Sequence, residues 1–404
     1  MKKSLFIILS YYLLQGIIHN LGHPVTPTYV TELGIARYMF GFFFAAMSLG
    51  MVVGAPFWGM LGDRGKKRWL VVLGLSIYSL AQGLFGMFTH PLMLVAVRFL
   101  AGFGVSAHIT LVLSHLIASS PTHSRTKYIS WSAALFALGT TVGYQFGGFM
   151  GDYFIREVFF VQAVLNMGLV LWIALSFGVE KTAKEVRTKQ RRNNFFESFR
   201  NIKKLDSSLL LFLVALSLTT ISASTLSKYF DVYMTDLGYS PRELGNFIFV
   251  TGIVGLVTNA FLVPFLARLR KDRLVMKWVQ ILSAAIVFYV FRQNDFLRTI
   301  YTVFLFYFVL KATFQPFEQN HISKSATEES YGTVMGIRQA FFSLGMVIGP
   351  ILSGFIYDYS PIRMFDLSAG MFLMAFVLMV FSEKKAVRAS KESPFKAEYQ
   401  HVAY

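Results

Sequence analysis

The candidates for chemistry are nine ionisable side chains inside apolar stretches of this 404-residue chain, and their types and spacing limit what it can do. They are His19 and His23, Arg98 and His108, Lys228 and Asp231, Lys311 and Glu318, and Arg338. Ionisable groups in hydrocarbon cost kilocalories each and are candidates for function by default. Histidine titrates near neutrality unaided, and a carboxylate does so when desolvated. The set therefore suits the uptake and release of protons or the neutralising of a charged solute, and no covalent chemistry is implied. His19 and His23 are four residues apart, so a helix would set them on one face beside Asn20. Each also fits a plain helix-packing hydrogen bond. Arg98 keeps its charge and needs a partner. Span 1 offers no inner carboxylate, Glu32 being at its outer end, so Arg98 is expected to contact His19, Asn20, a carbonyl or a watery cavity.

Positioning such groups requires membrane helices. The chain is 55% hydrophobic and only 15% charged, against about 25% charged in an ordinary soluble domain. Apolar runs predict twelve spans: Leu5 to Val30, Tyr38 to Gly62, Trp69 to Thr89, Leu92 to Leu116, Tyr128 to Met150, Phe154 to Gly178, Leu209 to Tyr233, Leu244 to Leu266, Val275 to Phe291, Thr299 to Ile322, Thr333 to Ile356 and Met364 to Phe381. The expected organisation is an N-terminal six-helix bundle (1–179), a cytosolic basic linker (180–207), a C-terminal six-helix bundle (208–382) and a cytosolic tail (383–404). Met1-Lys2-Lys3 leads straight into the first span without a cleavage site, which predicts no cleaved signal.

The charge of +17 follows the topology. Most Lys and Arg fall on one side when both termini are placed inside, nine of them in the linker against four acids there, with an interfacial helix expected through Phe195, Phe196 and Phe199. Basic charge then reports orientation, and nucleic acid is excluded as a partner. With no cysteine there is no disulfide or thiolate chemistry, and no metal or other cofactor is expected. A nucleotide loop of the Gly-x4-Gly-Lys-Ser/Thr kind is absent, which argues against an ATP-driven pump.

The halves repeat. Tyr29 to Gly34 (YVTELG) aligns with Tyr233 to Gly238 (YMTDLG) at an offset of 204, and Gly139, Gly143, Gly148 and Asp152 align with Gly345, Gly349, Gly354 and Asp358 at 206. Two related six-span halves are the layout of an alternating-access transporter. The whole is predicted to be an all-α membrane protein of twelve transmembrane helices in two six-helix pseudo-repeats.

After the second span stands Gly59-Met-Leu-Gly62-Asp63-Arg64-Gly65-Lys66-Lys67-Arg68, and Arg98 to Gly104 reads RFLAGFG. These resemble two signatures of the major facilitator superfamily. The resemblance implies a conformational latch from Gly59, Asp63, Arg64, Lys67 and Arg68, and a part for Arg98 in proton coupling. Gly59 is expected to permit close helix approach. The spacer usual between the Asp-Arg pair and the next Gly is missing, and the second half keeps only Arg268, Arg270 and Lys271, with Ala267 in place of the acid. Gly139, Gly143, Gly147 and Gly148 are similar to the glycine signature of the drug/proton antiporter branch, with Tyr144 where that branch has proline, while Pro350 follows Gly345 and Gly349 in span 11. These glycines, with Gly102, serve equally to pack helices.

The expected function is proton-coupled export of small amphiphilic compounds from a cell membrane by a monomer, its partners being substrate, protons and lipid. The rival is a carrier or flippase for an anionic or polar metabolite or lipid-linked sugar, favoured by the cationic interior of Arg98, Lys311 and Arg338. Glu318 and Arg338, on adjacent antiparallel spans, are expected to pair as an inner gate, with Lys311 a less suitable partner about 10 Å from Glu318 along one helix.

Overall fold

A computed structural model describes residues 2–63, 65, 67–176, 205–325 and 331–392. Among them every regular element is a helix. The first span is two helices, α1 (Lys2–Asn20) and α2 (Thr26–Glu32); then come α3 (Tyr38–Gly62), α4 (Lys67–Met87), α5 (Pro91–Ser119), α6 (Arg125–Gly151) and α7 (Glu157–Ser176). The second half holds α8 (Ser207–Asp236), α9 (Pro241–Arg268), α10 (Asp272–Val290), α11 (Phe296–Lys324), α12 (Tyr331–Tyr359) and α13 (Pro361–Glu392). Ten of these are long and apolar enough to cross a membrane, and Leu5–Asn20 is a shorter apolar helix. The basic linker and its expected interfacial helix lie outside the described residues, as do Arg64 and Lys66.

The predicted continuous helix from Leu5 to Val30 is corrected. The chain turns through Leu21–Val25, because Pro24 offers no N–H and Pro27 suits only the first turn of a new helix. Two further departures mark the second half. A π-turn at Thr258–Leu262 ends two residues before Pro264, whose ring would clash with the carbonyl four residues back. The last helix also runs past Phe381 to Glu392, so Glu383, Lys384 and Lys385 stand on it. Helix α9 starts on a reciprocal cap: Ser240 N–H donates to Glu243 Oε2 at 2.8 Å, and Glu243 N–H donates to Ser240 Oγ at 3.3 Å.

Packing divides the chain into two units. One holds the first seven helices with Lys228–Ile253; the other holds the first part of α8 and the chain from Val254 onward. In the first unit α3 packs on α5, α1 on α6, and α4 on α5 and α7. Its core gathers Ile8, Tyr11, Trp58, Leu75, Leu111 and Ile173. The second unit centres on α10 against α11 and α13, around Leu213, Met276, Phe317, Ile337 and Ala375.

The glycines fix how closely helices approach. A Cβ at Gly139 or Gly143 would meet the backbone of Leu13 to Ile17 on α1, and one at Gly147 the backbone of Leu21 just past its end. One turn-spaced stripe of α6 thus lies directly on α1, as small residues allow in lipid. The repeat carries the same contact: Gly345 and Gly349 of α12 rest on Ser217, Thr220, Ile221 and Ser224 of α8. There hydroxyls bridge the helices, Ser217 Oγ donating to the Phe341 carbonyl at 2.9 Å and Ser224 Oγ to that of Gly345 at 3.3 Å. Pro350 is accommodated inside α12, next to Gly349. Gly148 packs instead against Pro241 and Gly245 at the start of α9. The expectation for Gly59 is corrected, since a Cβ there would make only ordinary contact with Thr110 at 3.6 Å; α3 approaches α5 through Gly50 and Gly54, against Phe99 and Phe103, with Gly102 against Met47.

Candidate functional site

The break in the first span is where the candidate residues of the first unit meet. Ending α1 at Asn20 frees its last carbonyls. Gln162 of α7 takes two of them, its Nε2 donating to Ile18 O and His19 O, both at 2.8 Å. Asn20 turns back on the helix, its Nδ2 donating to Gly16 O at 2.8 Å and Thr140 Oγ1 at 3.1 Å. Gly22 is needed here, because a Cβ would run into Gln162 Oε1 and the Phe159 ring.

The two histidines sit on either side of this end. His19 stacks on Tyr78 of α4 with centroids 5.2 Å apart, and His23, inside the break, lies parallel to Tyr144 of α6 at 5.5 Å. Their own rings are 5.9 Å apart. The sequence expectation of one shared helical face is therefore replaced by two imidazoles held at a turn, each against a tyrosine. Tyr144, where the resemblance would have proline, is a ring platform. His108 lies edge-on to Tyr11 at 5.7 Å and interacts electrostatically with His19.

Arg98, eight residues into α5, is only 5% exposed. One guanidinium nitrogen donates to Thr26 Oγ1 at 3.2 Å, and its carbon lies 3.8 Å from the Phe85 ring centroid. The Thr26 hydroxyl in turn donates to Gly22 O at 2.6 Å. Arg98 thus meets neither His19 nor Asn20 by hydrogen bond, two of the four surroundings the sequence allows it, although its charge and that of Lys228 act on both histidines. Lys228 of α8 projects over Phe44 at 4.7 Å, one turn before the buried Asp231. Asp231 acts electrostatically on Lys228 and Tyr144. In the same unit, Arg37 pairs with Asp236 at 2.7 Å, and Gln145 Nε2 donates to Asn246 Oδ1 at 2.6 Å.

The loop after α3 keeps a left-handed turn at Gly65, with φ of 94°. Asp63 N–H donates to Gly59 O at 3.1 Å, Lys67 Nζ to Ser114 Oγ at 3.3 Å, and Arg68 lies over Trp69 at 5.4 Å. The same turn recurs in the second half at Arg270, whose φ is 53°. Asp272, two residues on, accepts from Asn320 Nδ2 at 2.7 Å and Lys324 Nζ at 2.9 Å.

In the second unit Glu318 and Arg338 come together. Nε and one Nη of Arg338 donate to the two oxygens of Glu318 at 2.9 and 2.8 Å, a fork that fits both planar groups. Glu318 is 1% exposed and Arg338 5%. Arg338 also donates to Gln339 Oε1 at 3.1 Å and lies over Phe342. Lys311 is not part of this interior: it is exposed, with its ammonium 5.7 Å from the Phe308 centroid.

Gln162, Thr26, Tyr78 and Phe85 join the site without having stood out in the sequence, and Tyr144 stood out there only as a departure from proline. Their only sequence signal is an uncharged polar or aromatic residue in an apolar run, of which the chain has many.

The family model described as Major Facilitator Superfamily matches residues 6–309 and 217–401. "Multidrug resistance protein 2" of Bacillus subtilis (strain 168) is 24% identical over 391 residues, covering 95% of this chain and 96% of that protein. "Quinolone resistance protein NorA" of Staphylococcus aureus (strain COL) is 22% identical, covering 97% of this chain and all of that protein. Among solved structures, a bacterial homologue of the human lysosomal transporter Spinster, in an inward-facing and occupied conformation, superposes with a TM-score of 0.75 at 12% identity, covering 96% of each chain.

Proposed function

The chain belongs to the major facilitator superfamily, and from that premise we propose that this multi-pass membrane protein is a proton-coupled secondary transporter exporting small amphiphilic compounds. The observation that carries the reading is the broken first span, with His23 in the break and His19, Arg98, Lys228 and Asp231 around it. Discontinuous membrane helices hold the substrate and ion sites of many transporters, since irregular backbone is tolerated only where it is buried in protein or lines a cavity. Arg98 stands eight residues into its helix, about 11 Å along the axis, beyond easy reach of the surface. The relatives named for drug resistance, similar along their whole length, support export of amphiphiles.

In this reading substrate lies near the break, protons are taken up there, and protonation biases alternating access between the sequence halves 1–179 and 208–382. Asp63 with Arg64, Lys67 and Arg68 latches one state, and Glu318 with Arg338 forms an inner gate. The protein works as a monomer in the cell membrane with both termini in the cytosol, an orientation supported by the bias of Lys and Arg.

The test is flux of fluorescent amphiphiles from proteoliposomes under an imposed proton gradient, for wild type and Arg98→Lys. Gradient-driven flux is expected in wild type. Arg98→Lys should uncouple it, because an ammonium lacks the planar set of donors. Absence of gradient-driven flux for every compound would overturn the proposal, and an unaltered pH dependence in Arg98→Lys would remove Arg98 from coupling.

A further inference from the structure

We propose that Arg98 and Lys228 form an anion site in the first unit, which takes the singly charged acidic group of an amphiphilic substrate. This deepens the transport reading above and rests on it for the movement of the bound compound.

The chain supplies its own comparison. Two arginines among the described residues, Arg98 and Arg338, are equally buried at 5% exposure. Arg338 is neutralised by a carboxylate taken through two hydrogen bonds. Arg98, among the described residues, has no ion pair and one hydrogen bond, to the Thr26 hydroxyl. A guanidinium carries five N–H donors. A charge held out of water without a counter-charge costs several kilocalories per mole, so such an arrangement persists where something else supplies the negative charge.

The surroundings repeat the imbalance from every side. From the first span come His19 and His23, from α3 the Phe44 ring, from α4 Tyr78 and the Phe85 ring, from α6 Tyr144 and from α8 Lys228 and Asp231. Lys228 bears electrostatically on both histidines and on the same site as Arg98. Among the described residues two cations, Arg98 and Lys228, thus act here against one carboxylate, Asp231, which leaves one positive charge to be matched. A carboxylate, sulfonate or phosphate diester matches it. Phe44 and Phe85 already lie under the two cations and offer apolar surface to the body of the same molecule. A soluble aryl acid and an anionic lipid share this chemistry.

The experiment uses the purified full chain with three dansyl probes of one ring system: dansylglycine, its methyl ester, and the cationic dansyl-ethylenediamine. Saturable fluorescence binding is measured in detergent, and gradient-driven flux in vesicles of zwitterionic lipid. Dansylglycine should bind at least tenfold tighter than its ester or the amine. Arg98→Gln and Lys228→Met should each narrow the acid-to-ester ratio below threefold, and Lys228→Met, on a partly exposed side chain, keeps the test available if Arg98→Gln does not fold. Displacement of dansylglycine by oleate or phosphatidylglycerol supports the site with a lipid source, and undisturbed binding supports it with a soluble one. Ester or amine binding as tight as the acid, or an unchanged ratio in both variants, overturns the anion site. Acid-selective binding without flux of any probe would sink the transport reading and leave the site standing; gradient-driven flux of the amine alone would do the reverse.

Discussion

Removing one member of the Glu318–Arg338 pair should destabilise the protein more than removing both. The carboxylate is 1% exposed and the guanidinium 5%, and the two are joined at 2.9 and 2.8 Å, so neither can recruit water when its partner is lost. Truncating one side of such a pair costs about 3–5 kcal/mol, because the surviving charge is left uncompensated, whereas replacing both by apolar groups of similar volume is often close to neutral. For a folding unit of this size each kcal/mol moves the melting temperature by roughly 2–4 °C. Glu318→Leu and Arg338→Met should therefore each lower it by about 6–20 °C by these figures, and Glu318→Leu/Arg338→Met should recover most of the loss. The assay is thermal unfolding in detergent followed by size-exclusion fluorescence, with the cycle closed by wild type. Losses that simply add in the double variant would refute the reasoning, since the two groups would then not be neutralising each other. A functional arm tests the proposed gate: Glu318→Gln, which keeps the side chain's shape and removes its charge, should change steady-state flux in correctly inserted protein, and unchanged flux would reduce Glu318 to a structural role.

Asp63→Asn should cut steady-state flux severely with expression and insertion intact, because Asp63 ends α3 in a loop and adds little to the core; normal flux from correctly inserted protein would defeat the latch. Gly143→Ala should lower thermal stability by about 1–3 kcal/mol, since its Cβ has only the Ile17 backbone to displace, while Gly168→Ala, with open space around it, should be silent in the same melt. Arg270→Gly should leave the protein as stable or up to about 1 kcal/mol more stable, by relieving a left-handed conformation at a residue with a Cβ, and a lower melting temperature would show that the arginine side chain outweighs the backbone.

Hydropathy was enough to read the helices because lipid leaves the backbone few other choices. The limits of α3 agree to the residue, and α8 or α12 differ by two or three at each end. The pairing of Glu318 with Arg338 was legible for a related reason: adjacent antiparallel spans bring residues at similar depth together, and buried charges must find one another. The break at Leu21–Val25 was not legible, although Gly22 and Pro24 are visible in it and Pro27 just after it, because the apolar run continues through them and gives no polar boundary. The partners of Arg98 stayed hidden for another reason. Thr26 and Phe85 are neutral, and nothing in a single sequence marks one threonine or phenylalanine out of many as the neighbour of a charge. Gly59 misled because the signature draws the eye, while the contact is made at Gly50 and Gly54, nearer the middle of the same helix.

The stripe of Gly139, Gly143 and Gly147 on α1 has a mechanical consequence. Side chains that interdigitate can slide by changing rotamers, but backbone resting on backbone has no compliant layer between, so α1 and α6 behave as one beam with no bearing in it. The hydroxyl bridges from α8 to α12 stiffen the corresponding pair in the repeat. Whatever displacement a working cycle demands must then be absorbed where such pairs meet neighbours through flexible side chains. A distance ruler such as a pair of spin labels on α1 and α6 would read a constant length while other separations in the molecule change.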